Sequence, residues 1–365
     1  MSTWIGVQSV AYVPTVVTND PRWNQPPANF KEVVTQRLLF DPVNGVDRSL
    51  RSYFFEVSYG RASLEPTVVD PVNLALTGNG LGDTSGAAIT AALANTGFQN
   101  AAVVYPGAGV DWAFWGGPPV AQTNVTGFCY DFLTSGVGAW AMELTHILTS
   151  FGDLYQTSDG DPWGFDNMAC ACGVHPSTFT KLKLGWLDPG EILELKTGST
   201  TATLHALGLP RPSPPGRTTA IKIPTADPQH YFLIEARLKT DTFEAGLPSE
   251  GVVVYEIQEA VWAPVHLRTP TALGVSQAFQ GFAEVNVMAS VPGGFTVQVV
   301  APSVAVAVPD LTDESRAEAL RDVTDAGLRL QASGAGVVVA QRPMAGTLVP
   351  SGSIVYVTLR VPRDL

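Results

Sequence analysis

The chain has 365 residues, about two domains at roughly 150 residues per domain, and this length excludes a peptide hormone, a lone zinc finger and a simple coiled coil. Its 33 acidic and 21 basic side chains give a net charge of −12 with no Lys/Arg-rich run, so phosphate backbones would be repelled and nucleic acid is not expected as a partner. Charged residues are 15% of the chain and apolar residues 45%, with 35 Gly and 28 Pro, which indicates a compact, loop-rich, β-heavy protein.

The first half of the chain is predicted to mix short strands with helices. Helices are predicted near 30–39, 47–57, 85–95 and 137–148, and a buried strand at 101–105. The apolar face of the last helix consists of Trp140, Leu144, Ile147 and Leu148. Polar side chains within such an apolar helix need a reason, so Glu143 and His146 are candidates for a function.

The second half is predicted to be mainly β-sheet and to end in a small separate module. Residues from Gly185 to about Val300 alternate as strands do, most clearly at 220–223, 231–235 and 251–257. After a linker at 301–306, a charged helix at 312–325 and two strands at 337–341 and 354–359 are expected. The predicted domains are therefore 1–300, divided into parts at 1–190 and 191–300, and a module at 307–365.

The helix at 137–148 carries half of a familiar metal-binding pattern. Zinc peptidases use His-Glu-x-x-His on a helix, because residues four apart project two imidazoles from one face and the Glu can polarise a metal-bound water. Here Glu143 and His146 match that spacing, and Met142 stands in place of the first histidine.

Five segments in a fixed order carry a family resemblance. They are SYFFEVSYGRASLEP at 52–66, the ExxH helix leading to GDLY at 152–155, DPWGFDNM at 161–168, HPSTFTKLKLGWL at 175–187, and YFLIEAR followed by LPSEGVVVYEI. Together they resemble the immune inhibitor A-like metallopeptidases, a zincin family related to the metzincins, over roughly residues 47–300. The resemblance implies an α+β fold, with a zincin-like metallopeptidase domain and a β-rich C-terminal part.

The same resemblance implies roles for individual residues. The matching positions are Glu143 as the general base, His146 as the second zinc histidine, Asp153 as the acidic third ligand and Met168 as the methionine beneath the metal. Met142 departs from the pattern, because a thioether is a neutral, weak ligand for zinc. Thr149 also replaces a helix-ending Gly, and Asp153 follows His146 by one residue more than usual.

Three interpretations of this site remain open. Glu143 and His146 could be a hydrogen-bonded polar pair left after the metal was lost. An altered metal site could use His146 and Asp153 with Glu143 or Asp161. The third interpretation is an active zinc endopeptidase. The first is the expectation, because changing even the partners of metal ligands costs about 10–100-fold in metal affinity or activity, and losing a ligand should cost more.

Two further patterns concern calcium and the cysteines. Asp159, Asp161 and Asp166 lie on a Gly/Pro-containing loop that could hold calcium through carboxylate oxygens, and a solvated acidic loop is the alternative. The three cysteines, Cys129, Cys170 and Cys172, are expected to be free or buried thiols. A Cys-Ala-Cys pair is a poor disulfide and only half a zinc site.

The C-terminal module has a resemblance of its own. It shows VPDL at 308–311, a helix through Ala319 and Leu320, AGL at 326–328, Val339, Gln341-x-Pro343, Ala345-Gly346 and Gly352 with Val355. This pattern resembles the PASTA domain, the small repeat of bacterial cell-wall kinases and penicillin-binding proteins. It implies a small α/β fold and binding of peptidoglycan or muropeptides, with a stabilising spacer as the alternative.

These observations together predict a metallopeptidase-like protein that is catalytically degenerate and serves binding or assembly at a bacterial surface or in a phage-like particle. The alternatives are an active secreted zinc endopeptidase tethered to the wall and a wall-binding adhesin. Peptidoglycan or the proteins of a larger assembly are the expected partners. The chain shows no signal-peptide pattern and no apolar run of about 18 residues. No membrane span is therefore expected, and the predicted location is extracellular, cell-surface or particle-associated.

Overall fold

The computed structural model describes residues 2–19, 26–41, 48–75, 98–105, 113–120, 123–129, 136–155, 160–211, 213–225, 227–240, 243–302 and 305–361. The helix predicted at 85–95 and the candidate ligand Asp159 lie outside these residues. The described chain contains more strand than helix. None of its helices is long and apolar enough to cross a membrane.

The chain forms two compact units. Unit 1 comprises Met1–Pro189, Leu207–Pro212 and Leu238–Pro248, and unit 2 comprises Gly190–Ala206, Ser213–Arg237 and Ser249–Leu365. Each unit therefore collects segments that are far apart in the sequence.

A mainly parallel sheet organises unit 1. Its strands are β1 (Gly6–Val17), β2 (Ala62–Val68), β3 (Val72–Leu74), β4 (Asn100–Tyr105), β5 (Ala113–Val120) and β6 (Thr123–Cys129). They lie in the order β2-β1-β4-β6-β5, and β3 pairs with the end of β1. All neighbours are parallel except β5, which runs antiparallel to β6 at the edge. The strand predicted at 101–105 is confirmed as β4.

The described helices of unit 1 are α1 (Phe30–Leu39), α2 (Leu50–Val57), α3 (Gly138–Thr149), α4 (Asn167–Cys170) and α5 (Thr178–Leu184). Of these, α1, α2 and α3 contact strands of the sheet. The predicted helices at 30–39 and 137–148 are confirmed, and the one at 47–57 begins at Leu50 because Ser49 caps it by accepting the amide N–H of Ser52. Phe54 of α2 packs with Trp4 and Trp186 in a fully buried aromatic group.

Two antiparallel-rich sheets form the β-rich part of unit 2. The strands of one are β7 (Ile192–Glu194), β10 (Ala220–Pro224), β11 (His230–Arg237), β12 (Gly251–Gln258) and β13 (Val265–Leu267). Those of the other are β8 (Gly198–His205), β9 (Arg217–Thr218), β14 (Ala278–Gln280), β15 (Glu284–Val291) and β16 (Gly294–Ala301). Strands β10 and β11 pack against β8, so the sheets face each other. The three strands predicted in this region are confirmed.

The C-terminal part of unit 2 has its own core. It contains β17 (Ala305–Ala307), α6 (Arg316–Asp325), β18 (Arg329–Gly334), β19 (Val337–Arg342), β20 (Leu348–Pro350) and β21 (Ile354–Arg360). Strands β18, β21 and β19 form a sheet in that order, and Ala319 and Val323 of α6 pack into the cluster of buried side chains beside it. The strands predicted at 337–341 and 354–359 are confirmed, whereas β18 was not predicted.

The start of α6 corrects the sequence prediction. The helix begins at Arg316 and not at Thr312, because Ser315 and Glu318 form a capping box: Ser315 Oγ accepts the N–H of Glu318, and the Glu318 carboxylate accepts the N–H of Ser315.

Candidate functional site

Helix α3 carries Glu143 and His146 through the interior of unit 1. It packs against strands β4, β5 and β6 and against helices α2 and α4. Nearly every residue of the helix is therefore buried, and Leu148, which was expected on the apolar face, is one of the few that are partly exposed. Trp140, Leu144 and Ile147 are buried as expected, and the polar residues between them are buried too because protein surrounds the helix.

The first turn of α3 is fixed by a close backbone approach. A Cβ atom on Gly138 would lie 2.0 Å from the carbonyl oxygen of Ala171, so only glycine fits there. Asn167 joins the two segments, because its Nδ2 donates to Gly138 O at 3.0 Å and its Oδ1 accepts from Gly173 N at 2.8 Å. The DNM part of the 161–168 motif thus positions the helix that bears the candidate residues.

Glu143 is a buried carboxyl group with an uncommitted oxygen. It is 9% exposed, and its Oε2 atom has no hydrogen-bond partner among the residues that the structure describes. Burial raises the pKa of Glu143 to about 7; the charge of His146 acts to lower it and that of Asp153 to raise it. Glu143 can therefore gain or lose a proton near neutral pH, as a general acid or base must.

His146 has both ring nitrogens engaged. Its Nδ1 donates to the carbonyl oxygen of Phe151 at 2.6 Å, and its Nε2 lies 3.0 Å from Oδ1 of Asp153. Because the proton on Nδ1 is held by a carbonyl, a hydrogen bond from Nε2 to the carboxylate requires the imidazolium form. Burial acts to lower the pKa of His146, but the hydrogen bonds with Asp153 and Phe151 outweigh it and the pKa is raised.

Asp153 completes this cluster from the segment after α3. Burial acts to raise its pKa, but the hydrogen bond and charge of His146 outweigh that effect and the pKa is lowered. The hydroxyl of Tyr155 donates to Asp153 Oδ2 at 3.0 Å, and burial together with this bond raises the pKa of Tyr155 to about 12. His146 and Asp153 thus form an imidazolium–carboxylate pair, and the Tyr155 hydroxyl donates a further hydrogen bond to the carboxylate.

The two methionines of the pattern are both buried. Met142 is 6% exposed and Met168 is 1% exposed. The carbonyl oxygen of Met168 accepts the N–H of Leu154 at 2.9 Å, which ties α4 to the segment that carries Asp153. The backbone of Met168 is therefore hydrogen-bonded to the residue that follows Asp153.

The donor set fits a zinc ion poorly. Structural and catalytic zinc sites use at least three Cys, His or carboxylate ligands, and Met142 supplies a neutral thioether where one of them is needed. His146 Nε2 and Asp153 instead satisfy each other across 3.0 Å. In the part of the chain that the structure describes, no group of three or more His, Cys, Asp or Glu side chains is placed to hold a metal ion.

Asp166, one of the candidate calcium ligands, has both carboxylate oxygens hydrogen-bonded within the protein. Its Oδ1 accepts from Met168 N at 2.8 Å, and its Oδ2 accepts from Ser177 N at 2.8 Å and Thr180 Oγ1 at 2.7 Å. The side chain is fully buried. Asp166 caps α4 and joins that helix to the start of α5. Asp161, another candidate calcium ligand, is half-buried.

The cysteine prediction is wrong for two of the three residues. Cys170 and Cys172 form a disulfide, with Cα atoms 5.0 Å apart. Ala171 between them adopts a left-handed conformation with φ of 51°. This rare backbone state for alanine folds the three residues into a tight turn that brings the thiols together.

Sequence reasoning missed a second polar group in unit 1. Lys181 is fully buried, and its Nζ donates to Val57 O at 2.7 Å and to Tyr59 Oη at 2.8 Å and lies 3.1 Å from His175 Nδ1. His175 Nε2 faces Glu56 Oε1 at 3.6 Å. The sequence gives no local signal for this group, because Val57 and Tyr59 meet Lys181 only through contacts more than 100 residues apart.

In unit 2, a buried carboxylate joins the C-terminal part to the β-rich part. Glu256 of β12 is fully buried and accepts from His230 Nε2 at 2.7 Å, from Arg268 Nε at 2.8 Å and from Tyr356 Oη at 3.0 Å. Burial acts to raise the pKa of Glu256, but the hydrogen bond of His230 and the charge of Arg268 outweigh it and lower the pKa to about 2. Tyr356 belongs to β21.

A second contact lies beside it. Arg342 of β19 donates to Asp227 Oδ2 at 3.1 Å and to Gln229 Oε1 at 2.9 Å. The C-terminal part is thus held to the β-rich part by side chains at two positions on one face of its sheet, since Tyr356 and Arg342 are paired neighbours.

Comparisons with known proteins concern this C-terminal part. The curated proteins contain no match to the chain. A protein-family model, that of the PASTA domain, matches residues 306–360. The matched residues include α6 and the sheet of β18, β19 and β21, so the C-terminal part of unit 2 is a PASTA domain.

Proposed function

We propose that this protein associates with the bacterial cell wall through its PASTA domain and that the rest of the chain is a catalytically degenerate relative of the immune inhibitor A-like metallopeptidases. The PASTA match at residues 306–360 carries the first part of this proposal. The ligand class is peptidoglycan or its muropeptide fragments, and the location is outside the cell or at its surface.

The pairing of His146 with Asp153 supports the second part. In an intact site, both side chains would face a shared metal ion and a third ligand. Here the Nε2 atom of His146 lies 3.0 Å from the Asp153 carboxylate, and Met142 offers no charge or strong donor. An imidazolium–carboxylate pair also replaces part of the electrostatic stabilisation that a divalent cation would give to Asp153.

Wall binding is tested with the full chain and purified peptidoglycan sacculi. After centrifugation, the protein is expected in the pellet, and soluble muropeptides should release it. Protein that stays in the supernatant, or that sediments equally well in the presence of excess muropeptide, contradicts the proposal.

Loss of the metal is tested by elemental analysis of the untagged, dialysed protein beside the Met142→His variant. The wild-type chain is expected to carry no stoichiometric zinc, and the variant about one zinc per chain, because the histidine restores a third ligand. About one zinc in the wild-type chain would contradict degeneracy.

An active zinc endopeptidase is the second candidate, and one observation favours it. Glu143 is retained with a pKa of about 7, which suits a proton acceptor in peptide hydrolysis. Under this alternative, digestion of a peptide library would be abolished by Glu143→Gln and by chelation. Absence of any cleavage that depends on Glu143 rejects it.

A further inference from the structure

The disulfide Cys170–Cys172 lies in a turn that packs against the first turn of α3. A Cβ atom on Gly138 would lie 2.0 Å from Ala171 O and 2.3 Å from Gly173 N, so the two backbones are in direct contact. Because α3 carries the candidate residues of the functional site, a change in this turn changes the support of that helix.

The two sulfur atoms of the disulfide differ in their surroundings. Cys172 is exposed, whereas Cys170 is half-buried, and Cys170 Sγ lies 3.3 Å from the carbonyl oxygen of Asp166. In thiol–disulfide exchange, a thiolate attacks one sulfur and the other leaves. An external thiolate therefore reaches Cys172 more easily. The leaving Cys170 has a carbonyl acceptor in place for its S–H once it is protonated.

The chain on both sides of the turn is held without the disulfide. On the upstream side, Met168 O accepts the N–H of Leu154 at 2.9 Å. On the downstream side, Val174 O accepts the hydroxyl of Tyr53 at 2.9 Å. These hydrogen bonds remain when the S–S bond is broken, so the effect of reduction should be confined to the turn and its contact with α3.

Within the turn, the disulfide acts together with Asn167. The backbone oxygen of Asn167 accepts the N–H of Ala171 at 2.9 Å, and its side chain bridges Gly138 O and Gly173 N. Ala171 is left-handed with φ of 51°, a conformation that is costly for a residue with a Cβ atom. Breaking the S–S bond removes one of the constraints that keep Ala171 in this conformation.

We propose that Cys170–Cys172 is a site of thiol–disulfide exchange, at which an external dithiol reduces the folded protein and thereby loosens the support of α3. A thiolate of the dithiol attacks Cys172 Sγ, and the electron pair of the S–S bond leaves on Cys170 Sγ, which takes up a proton. The second thiol group of the dithiol then attacks the mixed disulfide and releases Cys172 as a thiol. Two electrons and two protons pass to the protein, and the dithiol becomes a disulfide. This inference uses only residues of unit 1 and does not depend on the proposed function.

Reduction of the folded protein is tested first. The chain has three cysteines, so the Cys129→Ser variant retains only Cys170 and Cys172. The variant is incubated with dithiothreitol in the absence of denaturant, quenched with N-ethylmaleimide and weighed by mass spectrometry. Two maleimide groups are expected after reduction and none before it, and in the wild-type chain the number should also rise by two. Labelling that requires denaturant overturns the proposal.

The effect on α3 is measured by hydrogen exchange of the oxidised and the reduced protein. Gly173 N–H donates to Asn167 Oδ1, and Ala141 N–H donates to Val137 O in the first turn of α3. Peptides that contain these two amides should exchange at least about tenfold faster after reduction. Peptides from β11 in unit 2 are the control and should exchange equally in both states. Unchanged exchange of both turn peptides overturns the proposal.

Three variants complete the test, all made together with Cys129→Ser. The thiol left in Cys170→Ser should react with a chromogenic disulfide such as dithiobis(nitrobenzoate) at least about tenfold faster than the thiol left in Cys172→Ser. Equal or reversed rates contradict attack at Cys172. The double variant Cys170→Ser/Cys172→Ser should exchange as fast as the reduced protein and should not respond to dithiothreitol. If it exchanges as slowly as the oxidised protein, the disulfide does not hold the turn.

Discussion

His146 Nε2 and Asp153 Oδ1 lie 3.0 Å apart, and the other nitrogen of His146 is occupied by the carbonyl oxygen of Phe151. This arrangement is favourable only when the imidazole is protonated. Because the pKa of His146 is raised from its ordinary value of 6.5, its protonation stabilises the fold fully below about pH 6.5. This contribution is lost as the pH rises through the raised pKa. The pKa of Asp153 is lowered from 3.8, so the ionised carboxylate contributes its full stability above about pH 3.8. The pair therefore stabilises the fold most between about pH 3.8 and pH 6.5.

Replacing the carboxylate therefore gives an effect whose sign depends on pH. Asp153→Asn should destabilise the protein by about 1 kcal/mol near pH 6. Near about pH 9 it should be neutral or stabilising, because the Asn amide can donate to the neutral Nε2. Thermal unfolding at the two pH values measures this, and an equal loss at both would show that the ion pair is not formed.

Glu143→Gln should stabilise the protein above neutral pH. Because the pKa of Glu143 is raised from 4.5 to about 7, the folded state resists ionisation and loses stability as the pH rises between these values. At about 1.4 kcal/mol per pH unit, the cost approaches 3 kcal/mol at pH 8. Denaturant unfolding at about pH 5 and pH 8 should show a gain only at the higher pH. Glu65→Gln, at an exposed position on β2, should show none.

Asp166→Asn should destabilise the fold by about 2–4 kcal/mol, because an amide cannot accept all three hydrogen bonds that the buried carboxylate accepts. The measurement is the midpoint of urea unfolding. Asp325→Asn, at an exposed position at the end of α6, is the matched control and should leave the midpoint unchanged. Equal behaviour of the two variants would contradict a role for Asp166 in joining α4 to α5.

Tyr356→Phe tests the contact between the PASTA domain and the β-rich part. It removes the hydroxyl that donates to Glu256 at 3.0 Å, and a hydrogen bond to a charged group contributes about 1.5–3 kcal/mol. The variant should unfold at a lower temperature in calorimetry. Thr358→Val removes an exposed hydroxyl from the same strand and should leave the unfolding temperature nearly unchanged. If both variants lower the unfolding temperature equally, the effect of Tyr356→Phe does not come from its contact with Glu256.

Local sequence patterns predicted the helices and strands whose type follows from the spacing of their own apolar residues. Helix α3 and strands β10, β11 and β12 appeared within a few residues of their predicted bounds, because their burial follows directly from composition and period. The start of α6 was missed although the signal was present: Ser315 and Glu318 have the spacing of a capping box, and it outweighed the more upstream Thr312.

Other features depend on contacts that no local pattern contains. The disulfide needs Ala171 in a left-handed conformation, which sequence reasoning assigns to glycine or asparagine. The pairing of His146 with Asp153 needs the bend after α3, where Ser150 is also left-handed with φ of 57°. Likewise, the ring of Tyr59 is fixed by Lys181 and Leu207, both more than 100 residues away in sequence.

Two segments that complete unit 1, Leu207–Pro212 and Leu238–Pro248, follow its main part in the sequence. Phe243 packs edge-on against Tyr53 with centroids 5.1 Å apart, Glu244 accepts the N–H of His175 at 3.1 Å, and Leu207 accepts the hydroxyl of Tyr59. During synthesis, the first 189 residues must therefore wait without these partners until residue 248 has left the ribosome. No single proteolytic cut can release unit 1 whole, and a fragment that ends at Pro189 lacks part of its own interior.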